Sequence, residues 1–471
     1  MKNLARLLSL LILAHSAMAG NPWDNGPLVV SENGRYLQHT KGKPFFWQGD
    51  TAWLLFQRLD RKQIDQYFAD RREKGFNVVQ CIFVQNHDHR NPYGDAAYVD
   101  SDLLRPARTA GADPDDAEQY DYWDHVDYAV EVAAKNGIYI ALVPTWRDLV
   151  ARETNLSADK VQAFATDLAN HFKGKPNIIW VNGGSARPDR DIELWDALGK
   201  ALDQADPNHL ITFHPFGRTQ SSEYFPNTSW LDVNMFVSGH RRYEQDNSGK
   251  KFGEDNWRYV LEDLPKTPRK PTIDGEPSYE NLPQGIHDAT QPYWTDSDVR
   301  RYAYWSVFAG ACGHVYGENT VRQAHFQGVN KAESGAKLDF SEAMKAPGSS
   351  QMQHLKHLIL SRPYFDRVND QSAVAGDEGE KYDRILVTRG KDFLMAYNYT
   401  GREFTLKMAH ISGKEVAANW FNPRTGEVTQ IGTFKNEGSK TFDPPGEKAN
   451  GNDWVLVLDD ATKQFSSPGV L

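Results

Sequence analysis

Polar and aromatic side chains that could do chemistry recur at the C-terminal ends of short apolar runs in this sequence. Glu276, for example, closes the run PTIDGE at residues 271–276. A carboxylate in such a position can act as a nucleophile or transfer a proton, and neighbouring amides, imidazoles and aromatic rings could hold a substrate. The residues that share this placement are Asp50, Trp146, Asn182, Ser185, His214, His240, Asp274, Glu276 and Tyr316.

The elements that must position these residues follow a repeating pattern. From about residue 44, a short apolar run, a loop and an amphipathic helical segment alternate along the chain. Eight such units predict a (β/α)8 TIM barrel, an α/β fold whose active sites lie at the C-terminal ends of the strands. An open doubly wound sheet is the alternative, but no Gly-x-Gly-x-x-Gly motif opens the first unit. The predicted strands span residues 45–48, 78–84, 138–143, 178–182, 210–213, 233–237, 272–274 and 313–316.

The pattern changes near residue 362. Short alternating runs follow, separated by turn sequences such as Thr400-Gly401 and Arg424-Thr425-Gly426. They predict a small antiparallel β-sandwich, and because no nucleophile or ligand cluster stands out in it, an accessory role. The sequence therefore divides into a signal peptide at 1–19, a barrel at 20–362 and a β-sandwich at 363–471.

The N-terminus has the features of a secretory signal peptide. Lys2 and Arg6 precede a short apolar run at residues 7–14, and Ala17-Met18-Ala19 forms a small-x-small cleavage site. The apolar run is shorter than the roughly 20 residues that cross a bilayer. We expect an exported protein, periplasmic or extracellular, with no membrane association after cleavage.

Composition limits the classes of function. With 471 residues, 39% of them hydrophobic, the chain can bury a large core, which excludes a mainly disordered protein. Its 53 basic and 63 acidic side chains give a net charge of -10, which argues against nucleic-acid binding. The composition leaves the oligomeric state open.

In a barrel, the strand ends bring these side chains together at one rim. Carboxylates and amides can bind hydroxyl groups, and aromatic faces can stack on a sugar ring, so the rim suits an oligosaccharide or polysaccharide. Glycosidic cleavage uses two carboxyl groups beside the bond, and Glu276 is the expected nucleophile. Asp50 and Asp274 are candidates for binding or orientation, although acids at strand ends also cap helices. Trp146 is the stacking candidate, and Asn182, His214, His240 and Tyr316 are the other substrate-binding candidates.

The motifs together resemble those of the apiosidase-like glycoside hydrolases, whose barrel is commonly followed by a small domain named for collagen binding. The resemblance covers nearly all of the chain beyond residue 19. It implies a retaining barrel enzyme with its acid/base after the fourth strand and its nucleophile at Glu276. The motifs are FWQGDTAW (46–53), GFNVVQ (75–80), IIWVNGG (178–184), MFVSGH (235–240), IDGEPSYE (273–280), GACGHVYG (310–317), WFNPRTG (420–426) and DWVLVL (453–458).

One residue departs from the family pattern. Where the family has Gly-Gly-Asp after the fourth strand, this chain has Gly183-Gly184-Ser185, and a serine hydroxyl is too weak an acid for the role. A general acid contributes about 10²–10⁴-fold to the rate. Three explanations are open: Asp189 or a rim histidine donates the proton, the substrate needs less assistance, or the protein binds glycan without cleaving it. The resemblance suggests slow to moderate hydrolysis of a pentose- or deoxysugar-type linkage in a plant or microbial polysaccharide.

Two further interpretations concern charge and metal. Arg147, Arg187, Arg241 and Arg242 could make a locally basic cleft. The His-x-His spacing of residues 86–89 (NHDH), with His214 and His240, could hold zinc that activates water. The pair follows the second predicted strand instead of the first, however, and no aspartate ends the eighth. We therefore expect no metal and no cofactor.

Overall fold

The computed structural model describes residues 20–86, 89–152 and 156–471. It confirms the predicted fold, a (β/α)8 barrel followed by antiparallel sheets. Three short strands precede the barrel: β1 (Leu28–Val30), β2 (Leu37–His39) and β3 (Pro44–Phe45). The barrel strands are β4 (Trp47–Thr51), β5 (Val78–Val84), β6 (Tyr139–Thr145), β7 (Ile178–Ala186), β8 (Ile211–Pro215), β9 (Asn234–Phe236), β10 (Thr272–Asp274) and β11 (Gly313–Tyr316). These eight parallel strands follow the order β8-β7-β6-β5-β4-β11-β10-β9, and a parallel bridge between Thr212 and Val233 joins the two ends.

The helices surround the barrel through their apolar faces. The helices are α1 (Leu55–Arg58), α2 (Arg61–Glu73), α3 (Tyr122–Lys135), α4 (Arg147–Arg152), α5 (Ala158–Phe172), α6 (Pro188–Ala205), α7 (Ser221–Tyr224), α8 (Trp257–Asp263), α9 (Asp296–Ala309), α10 (Asn319–Arg322), α11 (Phe340–Ala343) and α12 (Pro347–Leu360). Asp60 is the N-cap of α2 and Asp121 the N-cap of α3, and each forms a capping box that satisfies free backbone N–H groups. In α3 the buried face includes Val126 and Val130, one turn apart.

The first barrel strand differs from its prediction. Residues 45–48 were expected to form it, but Phe45 pairs with Leu37 in the small antiparallel sheet, and the barrel strand begins at Trp47. Trp47 pairs with Gly313 of β11, which fixes the register of β4 against its neighbour. Asp50 thus belongs to the strand itself instead of coming after it.

Two antiparallel sheets form the C-terminal unit, as the alternating runs predict. Their strands are β12 (Val368–Asn369), β13 (Val374–Ala375), β14 (Ile385–Arg389), β15 (Phe393–Asn398), β16 (Phe404–Lys407), β17 (Glu415–Phe421), β18 (Val428–Lys435), β19 (Ser439–Phe442) and β20 (Trp454–Asp460). One sheet has the order β12-β14-β15-β20-β17-β18 and the other the order β13-β16-β19. Apolar side chains between the sheets, including Leu394 and Leu456, form a hydrophobic cluster of their own.

The C-terminal unit packs on the barrel through a buried interface. The rings of Tyr304 on α9 and Tyr397 on β15 stack with centroids 4.7 Å apart. Arg300, also on α9, donates two hydrogen bonds of 3.0 Å to the carboxylate of Asp453. Since one apolar cluster includes residues from both units, the two are joined by a continuous core.

The predicted signal peptide, residues 1–19, lies outside the described residues. Within the part of the chain that the structure describes, no helix has the length and apolar character needed to span a membrane.

Candidate active site

A cleft of about 800 Å³ opens at the C-terminal ends of the barrel strands. Glu276 lies in its wall, two residues beyond the end of β10. Ser185 near the end of β7, Phe216 directly after β8 and His240 beyond β9 also line it. This is the position in which barrel enzymes hold their substrates.

Glu276 is held between two imidazoles. Its Oε1 lies 2.9 Å from Nε2 of His240, and its Oε2 lies 3.1 Å from Nε2 of His214. Burial alone would raise the pKa of the Glu276 carboxyl, but the two imidazoles outweigh burial and hold its pKa below the ordinary value. The side chain is therefore a carboxylate at neutral pH, which suits a nucleophile and not a proton donor.

The backbone at the end of β7 orients His214. The N–H of Ser185 donates a 3.1 Å hydrogen bond to Nδ1 of His214, so a neutral imidazole carries its proton on Nε2, facing Glu276. Gly183 and Gly184 precede Ser185 with φ of +101° and +94°. A Cβ on Gly183 would lie 2.6 Å from the carbonyl oxygen of His214, so glycine permits this close approach.

Asp274 lies beneath the cleft, two residues before Glu276. It is fully buried, and burial raises its pKa to about 7, although Asn256 and Ser238 donate hydrogen bonds of 2.9 and 2.5 Å to its Oδ2. These bonds join the ends of β9 and β10 to the segment that follows β9. The structure thus places Asp274 in support of the cleft wall and away from the cleft lining.

Three residues predicted to bind substrate point away from the cleft. Asp50 is fully buried, 2.9 Å from Nε of Arg71 on α2. Asn182 donates to the carbonyl of Trp195 on α6. These partners belong to the helix layer, so both side chains face outward from the barrel.

Tyr316 is the third of these residues. Its hydroxyl donates a 2.6 Å hydrogen bond to Glu280, and both residues are buried. Trp146, the predicted stacking residue, is half-buried, with its ring centroid 5.8 Å from that of His214 and 5.3 Å from that of Trp53, and it is not among the residues that line the cleft.

Ser185 and Asp189, the two positions considered for the general acid, differ in their relation to the cleft. Ser185 lines the cleft, whereas Asp189 is exposed near the start of α6 and is not in the lining. Among the described residues of the lining, Glu223 is the second carboxylate, and it lies 2.8 Å from Nζ of Lys250. Glu223 was not predicted, because α7 is a short helix after β8 whose position the sequence pattern does not indicate.

The cleft wall is rich in arginine. Arg187 lies over the face of Phe216 at 3.6 Å, and Arg147 lies 5.3 Å from the same ring. Arg241 also lines the cleft, but Arg242 pairs with Glu244 at 2.8 Å instead. Phe216 was not predicted from the sequence. Its position directly after His214-Pro215, at the end of a predicted strand, was the signal that could have indicated it.

The metal alternative falls partly on residues that the structure does not describe, since His87 and Asp88 lie outside it. Within 20–86, 89–152 and 156–471, no group of three His, Cys, Asp or Glu side chains is arranged to hold a metal ion.

Comparison with known proteins gives two matching family models. Residues 31–366 match the apiosidase-like catalytic domain, and residues 368–459 match the "putative collagen-binding domain of a collagenase". The chain belongs to the apiosidase-like family. No curated protein matches this apiosidase-like chain.

Two solved structures are similar over almost the whole length of this family member. A protein described as "Glycoside hydrolase" is 44% identical, with a TM-score of 0.89, covering 95% of this chain and 99% of its own. A glycoside hydrolase family 5 protein from Bacteroides vulgatus ATCC 8482 is 42% identical, with a TM-score of 0.90, covering 95% and 96%. The family and these relatives place the apiosidase-like chain among the glycoside hydrolases, whose substrates are carbohydrates.

Proposed function

We propose that this protein is an exported glycoside hydrolase that cleaves a glycosidic bond in a plant or microbial polysaccharide with retention of configuration. The observation that carries the proposal is the carboxylate of Glu276, kept ionised by two imidazoles in the wall of an open cleft. In retaining hydrolysis such a carboxylate attacks the anomeric carbon as the glycosidic C–O bond breaks. Water then hydrolyses the glycosyl-enzyme and releases the sugar.

Cleavage of the glycosidic bond also needs a proton for the departing oxygen. Ser185 occupies the cleft position where the family has an acid, and its hydroxyl cannot supply this proton near neutral pH. His240 lines the cleft, and its Nε2 lies against Glu276 while its Nδ1 has no hydrogen-bond partner. As an imidazolium it would keep one proton on Nε2 toward Glu276 and carry a second on Nδ1 that can go to the departing oxygen, which makes it our candidate donor. Burial lowers the pKa of His240 below its ordinary value, so the donor form is favoured under acidic conditions. We therefore expect slow turnover that depends strongly on the leaving group.

Glu276→Gln tests the proposal. The substitution keeps the shape of the side chain but removes the attacking charge, so hydrolysis should fall by at least about 10³-fold, because the reaction loses its covalent route. The measurement is sugar release from a panel of defined polysaccharides and aryl glycosides. Glu223→Gln is the matched control, since it removes the charge of the other cleft carboxylate among the described residues. NMR of the first product formed shows whether its anomeric configuration is the same as that of the substrate.

Different outcomes separate the candidate functions. Hydrolysis by the parent that persists in Glu276→Gln would overturn the assignment of the nucleophile. Glycan binding by the parent without any release of sugar would favour a binding protein, the candidate that Ser185 supports. An inverted first product would exclude the covalent intermediate while leaving hydrolysis intact.

A further inference from the structure

Residues 239–256, which we call the wall segment, connect the cleft to the C-terminal unit. At one end, His240 and Arg241 line the cleft. Further along, the ring of Tyr243 lies 5.7 Å from the ring of Tyr382, which stands just before β14. The wall segment therefore has the candidate active site at one end and the C-terminal unit at the other.

A buried charged pair anchors the far end of the wall segment. The hydroxyl of Tyr382 donates a 2.8 Å hydrogen bond to Oε1 of Glu254, whose Oε2 accepts a 2.7 Å bond from Arg301 on α9. Glu254 and Arg301 are both buried, 1% and 0% exposed. The guanidinium of Arg301 lies 4.7 Å from the ring centroid of Tyr382 and 5.0 Å from that of Tyr399. The C-terminal unit thus supplies a hydroxyl and two aromatic faces to this pair.

Hydrogen bonds also connect the neighbourhood of the Glu254–Arg301 pair to β10, the strand that leads to Glu276. Asn256, two residues after Glu254, donates a 2.9 Å hydrogen bond to Asp274, and Asp274 precedes Glu276 by two residues. The same amide donates at 2.8 Å to the carbonyl of Tyr302, next to Arg301 on α9. A shift of the Glu254–Arg301 pair would therefore displace the end of β10 as well as the wall segment.

We propose that Tyr382 is a positioning residue through which the C-terminal unit holds the cleft wall in place. A hydrogen bond to a charged group is stronger than one between neutral groups, and this one is formed in the interior. The C-terminal unit then helps to set the geometry of the active site. Its removal would make His240 and Arg241 more mobile. The catalytic part of this inference rests on the proposed hydrolysis.

Tyr382→Phe in the full-length chain tests the inference. It removes the bond to Glu254 but keeps the ring over Arg301. We expect faster hydrogen–deuterium exchange in the wall segment and a kcat about tenfold lower, within the loss that misplacement by a distant change produces. Tyr397→Phe is the matched control: its hydroxyl donates at 3.1 Å to Asp453 in the same interface, and that contact involves no residue of the wall segment.

The two readouts keep this inference separate from the proposed function. If Tyr382→Phe leaves both exchange and kcat like those of Tyr397→Phe, the positioning role is overturned. If the parent shows no hydrolysis, the proposed function fails, and exchange in the wall segment still decides whether Tyr382 holds it. A fall in melting temperature shared equally by the two variants, without a difference in exchange, would also contradict the positioning role.

Discussion

At the scale of single residues, the ionisation of Glu276 depends on its neighbours. Burial disfavours a carboxylate, and the imidazoles of His214 and His240 reverse that effect. His214 itself is oriented by a backbone N–H, so its contribution does not depend on a flexible side chain. The ionised state of the proposed nucleophile therefore depends on a contact that the backbone of β7 orients.

Replacing His214 should change the pH dependence of the reaction. In His214→Phe the ring is kept but the stabilising nitrogen is lost, so the pKa of Glu276 rises toward its ordinary value. Because Glu276 must be ionised to attack, activity should then be lost at a higher pH on the acid side, by about one unit. The measurement is kcat/KM against pH. His214→Gln, which retains an N–H donor, should shift the acid limb of the kcat/KM profile by less. If the acid limb of His214→Phe stays at the same pH as that of the parent, this explanation is wrong.

At the scale of elements, the sequence predicts the positions of the strands and of the residues at their ends better than it predicts where side chains point. The apolar runs give eight strands, and the run PTIDGE places Glu276 at the correct end of β10. Asp50, Asn182 and Tyr316 sit in strands that are buried on both faces. Such strands show no alternation between apolar and polar residues, so the sequence does not reveal which side chains face the helices.

Most of the other residues that the sequence did not predict lie in loops or short helices. Phe216 and Glu223 lie beyond β8, where no periodic pattern fixes the path of the chain, and they reach the cleft through tertiary packing. The contact of Tyr382 with Glu254 joins residues 128 positions apart, which no local pattern can indicate.

The end of β7 offers a direct test of whether this chain lacks the general acid that the family resemblance implies at Ser185. Ser185 has φ of +56°, a conformation that aspartate and asparagine tolerate better than most residues, so Ser185→Asp should fold. An acid restored at this cleft position should raise kcat for substrates with poor leaving groups by about 10²-fold or more and change little for activated aryl glycosides. Ser185→Asn is the control, with the same shape and no acid. Equal rates in the two variants would mean that another group already donates the proton.

At the scale of the whole molecule, the barrel and the C-terminal unit share an apolar core, and ion pairs are buried beside it at their interface. Arg300 pairs with Asp453, and Arg362 pairs with Asp459 across the same interface. Removing one partner of such a pair leaves a buried charge, which costs several kcal/mol. The two units should therefore unfold together.

Buried acids near the barrel rim should make stability depend on pH. Glu318 is fully buried, and burial raises its pKa to about 8, although the backbone N–H groups of Val321 and Thr320 and the amide of Asn281 donate to it. In the unfolded chain the pKa of a glutamate is about 4.3. Between these values the folded state binds one proton more, so this contribution to stability is present below about pH 4 and is lost as the pH rises to about 8.

Glu318→Gln removes this titration while keeping an oxygen that can accept the same backbone N–H groups. Relative to the variant, the parent should lose up to about 1.4 kcal/mol of unfolding free energy for each pH unit between pH 5 and pH 8. Urea unfolding at several pH values measures the difference, and the comparison cancels the titration of the histidines, which both proteins share. The exposed Glu447, replaced by Gln, should leave the pH profile of the parent unchanged. Parallel profiles for the parent and Glu318→Gln would show that Glu318 is ionised in the folded protein, with its N–H donors offsetting the cost of burial.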